Sequence, residues 1–366
     1  MSSQASSSAG RTAEQFRTKL ASYLDTFLQQ YRDRAEQMSE QAVDLVDEIS
    51  RLCSGGKRVR GLLAWYGWRA AGGSATDHRI VEAAAALELF QAAALIHDDI
   101  VDRSDTRRGG PSVHKSFEAL HSIKGWTQDG SHFGVAAAVL AGDLALSASE
   151  ECFSAVADAT PYAATATSAF QMMRFEVMTG QYLDLVSEVD VSAISAEAML
   201  QRARTVLRHK SAHYTTVWPF EIGAILAGAD ENTLKKLRRF STPLGIAFQL
   251  QDDILGVFGD PELTGKPAGD DLREGKRTEL VAHALLSLDA AGRETLTSAL
   301  GTEDLNDVSV AEIQDLLKDS GALQRVTTEV SQLGSEALTN LNNLNLDDRT
   351  RSEIIDLTQR LLHRKS

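Results

Sequence analysis

The placement of proline most constrains how this chain can fold. All six prolines lie between Pro111 and Pro267, so the first 110 and the last 99 residues contain none. Proline inside a helix removes a hydrogen bond and clashes with the preceding turn, so long proline-free segments rich in alanine and leucine favour long helices. Near the N-terminus Phe16, Leu20 and Leu24 recur every four residues, which is the spacing of an amphipathic helix. We therefore predict an all-α protein.

Further helical stripes show how the chain is organised. They cover 79–101, 133–159, 163–188, 195–227, 232–258, 277–290, 310–318 and 322–344. Loop signals lie at Gly55–Gly56, Gly72–Gly73, Gly109–Pro111, 123–132, Asp260–Asp271 and Gly301–Asp307. No Pro/Gly/Ser-rich linker follows residue 12, so we predict a disordered tail over 1–12 and one large helical bundle over 13–366.

Charge and cysteine content narrow the possible partners. A formal net charge of −14 argues against nucleic acid. The two cysteines, Cys53 and Cys152, have no metal or disulfide-framework spacing and are expected to be reduced thiols. The N-terminus lacks the apolar core of a signal peptide, and no run of eighteen uninterrupted apolar residues exists. We expect a cytoplasmic protein that does not span a membrane.

The segment LIHDDIVDRSDTRRGG (95–110) gathers acidic residues after an apolar helix. Asp98, Asp99 and Asp102 are three and four residues apart, so they share a helix face and repel one another unless something neutralises them. A solvated acidic turn is the ordinary explanation, but the preceding run AAAALELFQAAALIH (83–97) is too apolar for a surface. Magnesium takes oxygen ligands and shares them with substrate phosphates, so it explains the cluster better.

A second acidic cluster strengthens this interpretation. Asp252 and Asp253 come at the end of another apolar run, with Asp260, Asp270 and Asp271 in the loop beyond. Two such helix ends predict facing walls of one metal-filled cavity.

Basic residues follow both clusters and a Gly-Gly pair: Arg107, Arg108, Lys266, Lys276, Lys57, Arg58 and Arg60. The last group lies at a predicted helix start, where backbone N–H groups and the helix dipole favour an anion. Lys57 and Arg60 are three apart and are therefore predicted to share one face. Metal ions with converging lysines and arginines predict a site for a diphosphate.

These segments together resemble the trans-isoprenyl diphosphate (polyprenyl) synthases, most of all a bacterial geranylgeranyl diphosphate synthase. The resemblance runs from about Lys19 to the C-terminus. Its motifs are GGKRVR (55–60), LIHDDIVDRSDTRRGGPSVH (95–114), GQYLDL (180–185), HKS (209–211), FQLQDDILGVFGD (248–260) and TGKPAGDDLREGKRT (264–278). It implies the isoprenoid synthase fold, an all-α bundle around a deep central cavity, and a homodimer.

The resemblance also implies roles for individual residues. Asp98, Asp102 and Asp252 would be ligands of three Mg²⁺ ions, supported by Asp99 and Asp253. The residues that would contact the allylic diphosphate are Arg107, Lys210, Lys266 and Gln249. The isopentenyl diphosphate site would contain Lys57, Arg60, Gln91 and Arg108. Lys276 would add a further cation, and Ser211 stands where threonine is frequent.

The reaction implied is a head-to-tail condensation. Metal and cations would stabilise the departing diphosphate, and the double bond of isopentenyl diphosphate would attack the allylic carbocation. The released diphosphate would accept the proton, so no general base is required.

The chain departs from the family pattern at several positions. The second motif has Gly256 where a third aspartate is common, and Gly61 stands where proline is common. The segment 121–132 is longer than in many relatives, and we expect it to be a surface loop, with a lid as the alternative.

Product length is predicted from the helix before Asp98. Ala94, Ala93 and Phe90 lie four, five and eight residues earlier, on nearly the same face. A bulky residue four or five places before the motif stops chain growth in the family. With alanine at both positions, the first bulky residue that could stop chain growth, and so form the floor of the pocket, is Phe90, about 5 Å deeper. This predicts geranylgeranyl diphosphate. That Phe90 is only a core aromatic, and that the product is farnesyl or a longer polyprenyl diphosphate, remain alternatives.

Three other classes of protein would account for only part of this pattern. A phosphohydrolase built on His97–Asp98 needs further histidine ligands and leaves the second cluster unexplained. A class I terpene cyclase shares the first motif but carries an Asn/Ser/Glu triplet instead of Asp252–Asp253. A non-catalytic partner subunit usually lacks one aspartate cluster, whereas this chain has both.

Overall fold

The computed structural model describes residues 12–74, 76–190, 195–260, 268–302 and 305–362. The tail predicted over 1–12, apart from Thr12, and the predicted diphosphate contact Lys266 lie outside these residues. What is described consists almost entirely of helices, which confirms the all-α prediction.

The helices are α1 Ala13–Met38, α2 Val43–Ser54, α3 Val59–Ala70, α4 Arg79–Val101, α5 Val113–Lys124, α6 Gly130–Asp158, α7 Ala163–Val189, α8 Ala196–Val206, α9 Trp218–Leu226, α10 Glu231–Phe258, α11 Asp270–Glu274, α12 Glu279–Ser287, α13 Ala290–Ala299, α14 Asp307–Asp319, α15 Ala322–Leu341 and α16 Asp348–Leu362. A 3₁₀ turn, Glu40–Ala42, precedes α2, and a π-helical segment, Leu207–Val217, joins α8 to α9. Two short strands, β1 Thr106–Arg107 and β2 Gly110–Pro111, pair antiparallel.

The chain divides into two compact units. Unit 1 runs to Thr167 and adds Ile222–Ala229, whereas unit 2 comprises Ser168–Glu221 and continues from Asp230. The first aspartate motif therefore belongs to unit 1 and the second to unit 2. That 13–366 form one domain stays a prediction.

In unit 1, α4 is the central helix. It packs against α1, α2, α3, α5 and α6, and its residues from Ala83 to Phe90 are all buried. A helix that is apolar on every side must be enclosed, which is why the alanine-rich run forms a core. The exception is Glu88, whose carboxylate receives a hydrogen bond from the Gly61 N–H (3.1 Å) and pairs with Arg58 (3.4 Å).

In unit 2, α10 packs against α15 and the π-helical segment. The π-helical segment lies close to α10 at Gly245, where a Cβ would be only 2.3 Å from Thr216 Oγ1. The Thr216 hydroxyl donates to the Ser241 carbonyl at 2.8 Å. The predicted continuous helix over 195–227 is thus three segments. Proline at position 219 has no N–H to donate, and it is the second residue of α9, directly after the π-helical turns.

Some predicted boundaries were wrong. Apart from the noted start of α3, the helices α2, α3, α5, α13 and α16 were not predicted, and Asp270–Asp271 lie in α11 instead of a loop. The loop predicted over 123–132 is shorter, because α5 continues to Lys124 and α6 begins at Gly130. Gly125, with φ of 64°, ends α5 in the left-handed conformation that glycine adopts without strain.

Two helices, α4 and α6, are long and apolar enough to cross a membrane by length and composition. In α4, 72% of the apolar window is buried, as expected for a core helix, whereas in α6 only 39% is. Two such helices are weak evidence for a membrane span. Within the part of the chain that the structure describes, the α6 side chains of Val139 and Leu140 are 39% and 59% exposed.

Candidate active site

The first aspartate motif lies at the C-terminal end of α4. Asp98 and Asp99 are in its last turn, and Asp102 is its C-cap, with its N–H bonded to the Asp98 carbonyl at 2.8 Å. The helix dipole is negative at this end, so acidic side chains are unfavourable here unless cations neutralise them. Asp99 is fully buried, which makes its charge more costly still.

Arg107 neutralises this motif from the neighbouring hairpin. Its Nε donates to Asp99 Oδ1 at 2.8 Å, and its Nη2 lies 3.6 Å from Asp98 Oδ2. Burial opposes the charge on Arg107, but the hydrogen bond and charge of Asp99 outweigh it and raise the pKa of Arg107. Arg107 therefore holds the acidic motif in place, and its predicted contact with a diphosphate stays a prediction.

The same hairpin positions Arg108. Arg108 and Gly109 have φ of 56° and 75°, so the two-residue turn between β1 and β2 has positive φ at both central residues. The Arg108 Nη1 donates to the Gly55 carbonyl at 2.9 Å and also contacts the Leu52 carbonyl. Its guanidinium lies over Gly56, where an added Cβ would be 2.8 Å from Nη2. The structure thus brings Arg108 to the turn that leads to Lys57, as a shared site requires.

The helix start at α3 differs from the prediction. Lys57 precedes the helix, so it does not share a helical face with Arg60, and that argument was wrong. Arg58, the N-cap, is buried against Glu88 and therefore has a structural role. The Glu88 carboxylate also accepts a hydrogen bond from the Gly61 N–H, so one of the backbone donors expected to bind an anion at this helix start is already occupied.

The residues predicted to govern product length lie on the regular helix α4, so the spacing used for them holds. Phe90 and Ala93 are both 2% exposed, and Ala94 is half-buried. Gln91, predicted to contact isopentenyl diphosphate, is half-buried one residue beyond Phe90.

The second aspartate motif lies within α10, which continues to Phe258, and not at the helix end as predicted. Asp253 is buried, and Gln249 Nε2 donates to its Oδ1 at 2.8 Å. Burial and the charges of Asp271 and Asp252 raise the pKa of Asp253 well above its usual range, although the bond from Gln249 opposes this. Carboxylates crowded in this way favour a bound cation, and Gln249 supports the motif itself.

Asp271 is a site residue that the sequence interpretation placed in a loop. A Cβ at Gly256 would lie 2.1 Å from Asp271 Oδ2, so this carboxylate fills the space beside Gly256. Lys276, a predicted cation, lies 3.6 Å from Asp271 Oδ1 and also contacts Glu274. A carboxylate from α11 therefore occupies the space beside Gly256, the position where an aspartate is common in the family.

We expect Gly256→Asp to lower both stability and activity, although aspartate is common at this position in the family. The new side chain would displace Asp271, and overpacking of this kind costs about 1–3 kcal/mol. Both the unfolding temperature and the rate of prenyl transfer should fall. The double variant Gly256→Asp/Asp271→Ala removes the collision and should recover much of both. Equal losses in the single and double variants would contradict this assignment.

Lys210, another predicted diphosphate contact, lies on the π-helical segment and forms an ion pair with Asp184 of α7. The two segments approach closely because position 180 is glycine: a Cβ there would lie 2.7 Å from the Lys210 amide nitrogen. This explains the motif GQYLDL, whose glycine permits the approach and whose aspartate binds the lysine. Ser211 is half-buried beside Lys210.

Comparisons with known proteins agree with these features. The family model for polyprenyl synthetase matches residues 43–317. A short chain isoprenyl diphosphate synthase of Methanocaldococcus jannaschii is 30% identical over 297 residues, 81% of each chain. A geranylfarnesyl diphosphate synthase of Aeropyrum pernix is 32% identical over 278 residues, 74% of this chain and 78% of that protein.

A solved structure resembles nearly the whole chain. The geranylgeranyl pyrophosphate synthase of Corynebacterium glutamicum, crystallised with isoprenyl diphosphate and magnesium, is 36% identical. The match has a TM-score of 0.90 and covers 97% of this chain and 100% of that one.

Proposed function

The chain belongs to the polyprenyl synthetase family and is a trans-prenyltransferase, and from this premise we propose that its main product is geranylgeranyl diphosphate. The substrates proposed are isopentenyl diphosphate and an allylic diphosphate, namely dimethylallyl, geranyl or farnesyl. Prenyl transfer is supported by the pair of acidic clusters, one ending α4 and one within α10, each held by the protein's own polar partners. The observation that carries the product length is the small side chains of Ala93 and Ala94 on α4, about one turn from the buried Phe90.

The donor atoms of these clusters suit magnesium. They are carboxylate oxygens, and burial together with the nearby charges of Asp271 and Asp252 raises the pKa of Asp253, a repulsion that a divalent cation relieves. We propose that Asp98, Asp102 and Asp252 hold Mg²⁺, three ions in all. When bound, Mg²⁺ supplies Lewis-acid stabilisation of negative charge on the diphosphate oxygens.

The basic residues bind and orient the two diphosphates. We assign Arg107, Lys210 and Lys266, with Gln249, to the allylic diphosphate, where positive charge stabilises the leaving group as the carbon–oxygen bond breaks. Lys276 adds charge on the same side. Lys57, Arg60, Gln91 and Arg108 are assigned to isopentenyl diphosphate, whose double bond then attacks the allylic cation. The released diphosphate takes the proton.

The test is incubation of the purified chain with isopentenyl diphosphate, Mg²⁺ and each of the three allylic primers, with products sized by chromatography. We expect a twenty-carbon product that does not form when a chelator removes the metal. Failure to elongate any primer would contradict catalysis and favour a non-catalytic partner subunit.

Product length gives a prediction in two directions. If the growing chain extends along α4 toward Phe90, then Ala93→Tyr raises the floor by about one helical turn and shortens the product by one isoprene unit. Phe90→Ala lowers the floor and should lengthen the product. Chromatography of the extracted products measures both. Unchanged product length in both variants, with unfolding temperatures near that of the parent, would show that α4 does not set the limit.

We further propose that the protein is a cytoplasmic homodimer. An apolar stripe on α7 supports this, because Phe175 and Tyr182 are each 65% exposed and Met172 and Met178 are about half exposed. A single chain would leave this stripe in water at considerable cost. Sedimentation analysis should give twice the chain mass of 39.7 kDa, and a monomer at micromolar concentration would contradict the proposal.

A further inference from the structure

Two histidines and a glutamate form a cluster in unit 2 that the diphosphate chemistry does not use. His209 and His213 are four residues apart on the π-helical segment, and Glu176 lies on α7. One ligand atom from each residue lies within 4.8 Å of the other two. The donors are two imidazole nitrogens and a carboxylate, unlike the all-oxygen aspartate motifs.

The distances in this cluster suit a small cation. His213 Nδ1 is 3.0 Å from Glu176 Oε2, and His209 Nδ1 is 3.6 Å from Glu176 Oε1. With zinc–ligand bonds of about 2.0–2.1 Å in a tetrahedral site, neighbouring ligand atoms lie about 3.3 Å apart. The two observed separations bracket that value. The third separation, between the ligand atoms of the two histidines, is within 4.8 Å.

A fourth residue orients the carboxylate. Trp218 Nε1 donates to Glu176 Oε2 at 2.8 Å, which fixes the carboxylate as outer-shell donors do in metal sites. The side chains of His209, His213 and Glu176 are 38%, 21% and 18% exposed, so the cluster is accessible to solvent but largely surrounded by protein.

We propose that Glu176, His209 and His213 bind a transition-metal dication such as Zn²⁺, with the fourth position open to water. Two imidazoles and a carboxylate select such ions, whereas Mg²⁺ prefers oxygen ligands alone. Lys210 lies between the two histidines in the chain and pairs with Asp184. A metal that joins α7 to the π-helical segment would therefore also stabilise the backbone that carries this lysine.

The test uses Co²⁺ as a spectroscopic probe on the chelator-treated full-length chain, without substrates. We expect one equivalent to bind with the visible absorption of tetrahedral Co²⁺, to be displaced by Zn²⁺ and to persist in excess Mg²⁺. His213→Gln and Glu176→Gln should each weaken binding by at least about tenfold. Trp218→Phe keeps the ring but removes the donor, and it should weaken binding by about tenfold.

A matched control is His78→Gln, which changes an exposed histidine near the start of α4 and should leave Co²⁺ affinity unchanged. Circular dichroism verifies that each variant is folded, and His209→Gln, at a more exposed position, replaces any variant that is not. Absence of saturable binding, or equal affinity in the parent and the folded histidine variants, would overturn the proposal. Because no substrate is present, the result is independent of the prenyl-transfer assay.

Discussion

Asp98→Asn is expected to lower the rate of prenyl transfer by about 100- to 1000-fold, the range measured when one preorganised stabilising group is removed from an active site. The substitution keeps the size of the side chain but removes a charged oxygen that we assign to Mg²⁺. Stability should not fall, because Asp98 belongs to a crowded acidic group at the negative end of α4. Initial rates of isopentenyl diphosphate incorporation, measured over a range of Mg²⁺ concentrations, provide the measurement.

Asp105→Asn is the matched control for this prediction. Asp105 belongs to the same acidic run, but its side chain is 74% exposed and pairs at 3.4 Å with Lys115. Exposed pairs contribute about 0–1 kcal/mol, so we expect a change of less than about threefold in rate. Similar rates in the two variants would mean that the acidic run acts only through its total charge, and would remove Asp98 from the metal site.

Arg107→Met should cost about 3–5 kcal/mol of folding free energy, the usual result of removing one partner of a buried ion pair. Asp99 is fully buried, and Arg107 Nε is 2.8 Å from its Oδ1, so the carboxylate would lose this neutralising charge. Denaturant unfolding of the substrate-free protein measures the loss. A contact made only with substrate would leave that free energy unchanged, so the experiment separates the two roles of Arg107.

Two further variants sharpen this test. Arg34→Met breaks the pair with Glu151 at 3.3 Å, in which both side chains are about half exposed, and should lower stability far less than Arg107→Met does. Asp99→Asn/Arg107→Met removes both charges and should recover part of the stability lost in the single variant. If Arg107→Met cost no more than Arg34→Met, the buried pair would not be what holds the hairpin to α4.

The sequence predicted best where one local signal determined the structure. For α4 the predicted and observed bounds coincide at 79–101, because a long and mostly apolar run is typical of a buried helix. For α2 the signal was present but short: Val43, Val46 and Ile49 recur every three residues and are buried. A helix of only 12 residues is easily overlooked on periodicity alone.

Features that depend on contacts distant in sequence could not be predicted. The π-helical segment has the same apolar pattern as an α-helix, so Leu207–Val217 read as part of one continuous helix. Glu88 lies within an apolar run, and its partners Arg58 and Gly61 are 30 and 27 residues away in the chain, so the run itself does not reveal them. The charge pattern located both aspartate motifs, but it could not show which residues hold their carboxylates.

The position of Asp271 beside Gly256 matters for how such proteins are classified. A tally of aspartates along the chain finds one fewer in the second motif than is common in the family. In three dimensions, the carboxylate of Asp271, fifteen positions later, lies beside the place where that aspartate would stand. The absence of one residue from a sequence motif is therefore weak evidence for loss of activity until the side chains beside that position in the structure are known.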